Sequence, residues 1–98
     1  MSKTFADIVT EDRRLVLLRI LREQNARRAN SSVLTAAMDH YGHAITRDYT
    51  RTQLRWLEEQ GLVQLEDVGP VLVATLTERG AECARGLAVV DGVARPSA

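Results

Sequence analysis

The stretch Ile45–Val63, ITRDYTRTQLRWLEEQGLV, decides the fold. Thr46 suits a helix N-cap, because its side-chain oxygen can accept from a free N–H of the first turn. The helix it opens is expected to span residues 46–60. Thr50, Leu54 and Leu57 fall on one face and should point to a core. Arg47, Arg51 and Arg55 recur every fourth residue and rise along a neighbouring face, with Asp48, Thr52 and Glu59 further round. Tyr49, Gln53 and Trp56 lie on the opposite flank. Gly61 ends the helix, as a glycine just past a C-cap does. Apolar and polar residues then alternate from Leu62 towards Asp67, and Val71–Leu76 reads as a return strand. Val68-Gly69-Pro70 supplies the turn between them.

Upstream, a first helix is expected to open at Thr10, with Glu11 and Asp12 favoured at its positive end, and to run to about Gln24. Leu15, Val16, Leu17, Leu18, Ile20 and Leu21 leave only a narrow polar stripe through Asp12, Arg19 and Glu23. A helix so widely apolar is buried on more than one side. Either a second subunit covers the extra face, making a homodimer, or Phe5, Ile8 and the C-terminal helix of the same chain do. Residues 26–29 fit a short first strand. Asn30 or Ser31 caps a second helix, whose Leu34, Ala37, Met38 and Tyr41 make one apolar stripe and which Gly42 ends. Downstream, Thr77 opens a last helix, TERGAECARGLA. Gly80 inside it should cost about 1 kcal/mol relative to alanine. The sequence VVDGVARPSA that follows has no periodicity.

Two helices, a turn, an arginine-bearing third helix, a hairpin and a closing helix make an α+β, mainly α, winged helix-turn-helix. The expected division is an N-terminal arm over residues 1–9, the domain over 10–87 and a flexible tail over 88–98. In such a layout the third helix usually enters the DNA major groove. Arg47, near its N-terminus, and Arg51 are the expected readers of bases or phosphates, since a guanidinium can fork onto guanine or hold a phosphate. Tyr49, Thr52 and Gln53 are expected at the edge of that contact. Arg27 and Arg28, with Ser31, Ser32 and the free N–H groups of the second helix, could hold the backbone. Arg55 is better explained by a pair with Glu58 or Glu59.

The charge pattern is less favourable. The 98 residues carry 13 basic and 13 acidic groups, so the domain lacks the strong positive charge of a typical nucleic-acid binder. Residues 1–30 are net +3, residues 31–60 net −1 and residues 61–98 net −2. The wing carries Glu66 and Asp67 near its tip and no basic residue, and carboxylates repel phosphate. A protein-interaction adaptor, with a phage or host protein as partner, is therefore the rival to a module that binds double-stranded DNA.

Other classes find no support. Cys83 is the sole cysteine, so no intrachain disulfide can form. Cys83, His40 and His43 make a poor ligand set for a soft metal. No Gly-rich phosphate loop and no nucleophile–base pair is present, so neither an enzyme nor a cofactor is expected. No apolar run approaches the roughly 20 residues of a membrane span, and residues 1–14 lack the apolar core of a signal peptide. A cytoplasmic protein of a bacterial host is the expectation.

In order along the chain, FADIVTEDRRLVLLRIL, NSSVL, ITRDYTRTQLRWLEEQGLV and VLVATLTERGAECARG resemble small winged-helix proteins of Mu-like phages and prophages. These are often labelled regulators of the arsenical-resistance-repressor type. The resemblance spans about residues 5–96. It implies a winged-helix fold and a DNA-binding regulatory role.

Overall fold

The computed structural model describes residues 2–97. Met1 and Ala98, the outer ends of the expected arm and tail, lie outside the described residues. Helix α1 spans Phe5–Glu23. A 3-10 turn at Asn25–Arg27 leads into strand β1, Arg28–Asn30, and helix α2, Ser31–His40. Helix α3 covers Arg47–Glu59, strands β2 and β3 cover Val63–Val68 and Val71–Leu76, and helix α4 covers Glu78–Ala84. The sheet is antiparallel in the order β1-β3-β2, with Ala29 opposite Ala74 and Ala74 opposite Leu65. This is the winged-helix layout that the sequence implied, with the short first strand at Arg28–Asn30 rather than 26–29, because Ala26 and Arg27 turn at positive φ.

The core forms where the apolar stripes converge. Leu17, Leu18 and Leu21 of α1 meet Leu34 and Met38 of α2, Leu54 and Leu57 of α3, and Leu62, all fully enclosed. The sheet adds Val63, Ala74 and Leu76 from its inner face. The hairpin closes over two residues, Gly69-Pro70, with Val68 paired to Val71. Gly69 takes φ +60°, the positive φ that the first position of such a tight turn requires.

The N-terminal arm is not an arm: α1 begins at Phe5, not Thr10. Thr4 is the cap. Its Oγ1 accepts from the Asp7 N–H at 3.1 Å, and Asp7 Oδ2 accepts from the Thr4 N–H at 3.1 Å. This reciprocal capping box satisfies two otherwise free donors. These hydrogen bonds hold the exposed Asp7 carboxyl below its ordinary pKa.

The tail is likewise packed. After α4, Val90 and Val93 are buried in the core. The Ala94 N–H donates to the Glu11 carbonyl at 3.1 Å. The Arg14 guanidinium donates to the Gly92 carbonyl at 2.9 Å and to Gln53 Oε1 at 2.8 Å, and lies 3.7 Å from the centroid of Trp56. Gly92 sits against that indole so closely that a Cβ there would lie 2.6 Å from Trp56 Cζ2. Helix α4 and the tail therefore cover the extra face of α1 from within the chain. Phe5 and Ile8 take no part in that cover and remain 80% and 53% exposed.

Gly80 is also a requirement rather than a weakness. A Cβ at this position would lie 2.1 Å from the Leu62 carbonyl oxygen and 2.6 Å from Leu76 Cδ1. Its absence lets α4 seat on the start of the wing.

Candidate nucleic-acid interface

Helix α3 is set by its cap and by a buried hydroxyl contact with α2. Thr46 Oγ1 accepts from the Tyr49 N–H at 3.0 Å. Thr50 and Thr35 Oγ1 atoms lie 2.7 Å apart, Thr35 Oγ1 is 2.7 Å from the Ser31 carbonyl, and Thr50 Oγ1 is 3.2 Å from the Thr46 carbonyl. Two hydroxyls hold two protons, so these three contacts cannot all be donated at once. The short distances favour a chain in which Thr50 donates to Thr35 and Thr35 to Ser31. That chain ties α3 to α2 through a part-buried pair of hydroxyls.

The outer face of α3 carries the arginine row. Arg47 is exposed and has no ion-pair partner among the described residues. Arg51 is half-buried: its Nη1 donates to Asp48 Oδ1 and its Nη2 to the Pro70 carbonyl at the wing tip, each at 2.9 Å. Arg55 Nη2 lies 3.8 Å from Asp67 Oδ1, so its partner is the wing and not the expected Glu58 or Glu59. Glu58 instead accepts from the Leu65 N–H at 3.2 Å. Thr52 is exposed, and its hydroxyl donates to the Asp48 carbonyl at 3.0 Å.

Two expected contacts on this helix face inward. Gln53 is buried, held by Arg14. Tyr49 is half-buried with its hydroxyl enclosed, and Arg13 lies 5.2 Å from its ring centroid. Both sit on the flank that meets α1, so neither reaches the outer surface. Burial lowers the Arg14 pKa below the ordinary guanidinium value, but a guanidinium stays charged in proteins.

The second expected patch is divided. Strand β1 ends at Asn30, opposite Val73. The next ladder donor, the Leu72 N–H, is taken by Ser31 Oγ at 3.1 Å. Ser31 is therefore fully buried and structural, not a phosphate ligand. Asn30, rather than Ser31, caps α2, with its Oδ1 accepting from the Val33 N–H at 2.9 Å. Ser32 is half-buried. Arg27 pairs with Glu78 at 3.1 Å and Arg28 with Glu66 at 3.0 Å.

What the structure brings together is thus one outer face, Arg47, Arg51, Thr52 and Arg55 on α3 with the wing tip at residues 67–70, while Arg28 pairs with Glu66 on the other side of the wing. Arg55 and the wing carboxylates were read separately in the sequence. Their meeting follows from the hairpin folding back along α3.

No protein-family model matches the chain. It is 51% identical over 90 residues to the uncharacterized protein gp26 of Escherichia phage Mu, a match covering 92% of this chain and 93% of gp26. An uncharacterized protein of Haemophilus influenzae is 44% identical over 81 residues, 82% of this chain and 78% of that one. Among solved structures, AbsC, a MarR family transcriptional regulator from Streptomyces coelicolor, is similar with a TM-score of 0.62 and 27% identity. That match covers 74% of this chain and 47% of AbsC, so the chain spans about half the length of AbsC. These relatives bear out the winged-helix and phage parts of the resemblance. The arsenical-resistance label finds no counterpart among them.

Proposed function

The chain belongs to the family of the phage Mu protein gp26, and from that premise we propose that it is a DNA-binding transcriptional regulator of phage type. Helix α3 enters the major groove with Arg47 leading and Arg51 and Thr52 beside it, and Arg27, Arg28 and Ser32 contribute at the backbone. The observation that carries this reading is Arg47: exposed, unpaired among the described residues, and at the N-terminal end of α3, the end that meets base edges in such complexes. The likeness to AbsC supports the same class. The reading has no catalytic step and no cofactor, and places the protein in the bacterial cytoplasm.

The reading includes a homodimer. The leucines of α1 are enclosed within the chain, by α2 and α3 on one side and α4 and the tail on the other, so the contact falls to the exposed Phe5 and Ile8 near the start of the helix.

The test is fluorescence anisotropy with labelled random-sequence duplex DNA over a series of salt concentrations. Non-specific affinity should fall with salt, because each neutralised phosphate releases counterions. Arg47→Ala with Arg51→Ala should weaken binding by about tenfold or more and flatten the salt dependence by about one to two in log–log slope, with the fold intact. Unchanged affinity in that variant eliminates the face.

One set of observations favours the rival protein-binding adaptor: Arg27, Arg28, Arg51 and Arg55 are all ion-paired within the chain. Capture of a defined protein partner that shields Arg47 and Arg51, together with no DNA binding at low salt, is the result that selects it.

A further inference from the structure

The wing tip presents acceptors to the arginines that phosphate would need. Strand residues alternate between faces, so Glu66 and Asp67 point to opposite sides of the wing. Glu66, on the outer face, reaches Arg28 Nη2 at 3.0 Å across the sheet. Asp67, on the face towards α3, stands 3.8 Å from Arg55 Nη2. At the turn beyond them the Pro70 carbonyl accepts from Arg51 Nη2 at 2.9 Å, and Asp48 holds the other nitrogen of that guanidinium. Of the four arginines that flank the wing on its two sides, Arg28, Arg47, Arg51 and Arg55, only Arg47 lacks an ion-pair partner among the described residues.

We propose that Glu66 and Asp67 act as an intramolecular substitute for DNA phosphate, occupying Arg28 and Arg55 until a duplex displaces them. This rests on the DNA-binding reading and adds to it a built-in competitor that weakens non-specific binding. Both pairs are solvent-exposed, with side-chain exposures of 51% and 63% for Arg28 and Glu66 and 55% and 81% for Arg55 and Asp67. Exposed ion pairs are individually weak, so phosphate can exchange for them. The displaced carboxylates then remain close to the phosphate and oppose it. Free, Arg28 on β1 and Arg55 on α3 would be ordinary basic contacts on either side of the wing. Paired, they make the protein depend on Arg47 and on contacts a specific site can add.

The test uses the full chain and the same random-sequence duplex. Glu66→Gln with Asp67→Asn keeps the side-chain shapes and removes both charges. It should raise affinity at low salt by about tenfold and steepen the log–log salt slope by about one to two, the increment for one or two more neutralised phosphates. Adding Arg28→Ala and Arg55→Ala to that variant should abolish the gain. Wild-type binding with no gain in the double variant overturns the proposal and leaves the DNA reading standing. A gain that persists without Arg28 and Arg55 also overturns it, since the effect is then one of bulk charge. No binding by either protein at low salt removes the DNA reading, and the proposal with it.

Discussion

Gly92 and Gln53 show what a residue's surroundings add to its type. In the sequence Gly92 belongs to an aperiodic tail, yet its φ is +99° and its missing Cβ makes room for the Trp56 indole. Gly92→Ala should lower stability by about 1–3 kcal/mol, the usual cost of overpacking, read as a lower urea midpoint with unchanged slope. Gln53 reads as an exposed polar residue on the flank of α3, but it lies in the stripe Thr50, Gln53, Leu54, Leu57, spaced i, i+3, i+4, i+7. That spacing marks a buried face, and an amide there needs a partner, which Arg14 supplies. Ser31 carried no such signal. Its role depends on where β1 stops against β3, a register that no local pattern contains. Arg47 was legible, because its placement needs only the Thr46 cap and the helical repeat.

Helices and hairpin were legible as elements because each carries its own period and punctuation. The misread ends have physical reasons. At the start of α1, Thr10 with Glu11 and Asp12 has the composition of a cap, but the reciprocal box of Thr4 and Asp7 forms six residues earlier and extends the helix. The tail lacks a period because it is held by a few distant contacts: Arg14 to Gly92, the Ala94 N–H to Glu11, and the burial of Val90 and Val93. Val90→Ala with Val93→Ala should cost about 2–4 kcal/mol together, in the range for deleting buried methyl groups. The same substitutions loosen the cover over Cys83, which is 3% exposed and whose thiol burial pushes above its ordinary pKa. A raised pKa lowers the thiolate fraction at any given pH, and the thiolate is the nucleophile. Alkylation of the intact protein should therefore be slow near neutrality and accelerate as pH rises. In the double valine variant it should be faster at every pH, as mass spectrometry of the adduct would record. Equal rates in the two proteins contradict a packed tail.

At the scale of the whole molecule, the neutral charge balance takes on a shape. Basic groups are not absent from the candidate face; they are matched there by Asp48 and Asp67, and Glu66 matches Arg28 on the other side of the wing. The sequence displayed both sets but could not show that they meet. The widely apolar α1 was legible as a helix buried on two sides, and the structure assigns the second side to α4 and the tail. Phe5 and Ile8 remain exposed, and the proposed dimer would use them. Sedimentation equilibrium should return twice the chain mass, and Phe5→Ser with Ile8→Ser should return the mass of one chain without loss of helix content. A monomeric wild type at all concentrations removes the dimer from the account.

If the outer face of α3 meets DNA, as proposed, amide chemical-shift mapping with a short duplex at low salt locates the contact residue by residue. Shifts should concentrate at residues 46–52 and around the wing tip at 66–71, with the exposed Phe5 and Ile8 unmoved. Shifts confined to other surfaces, or none at all, would contradict the proposal.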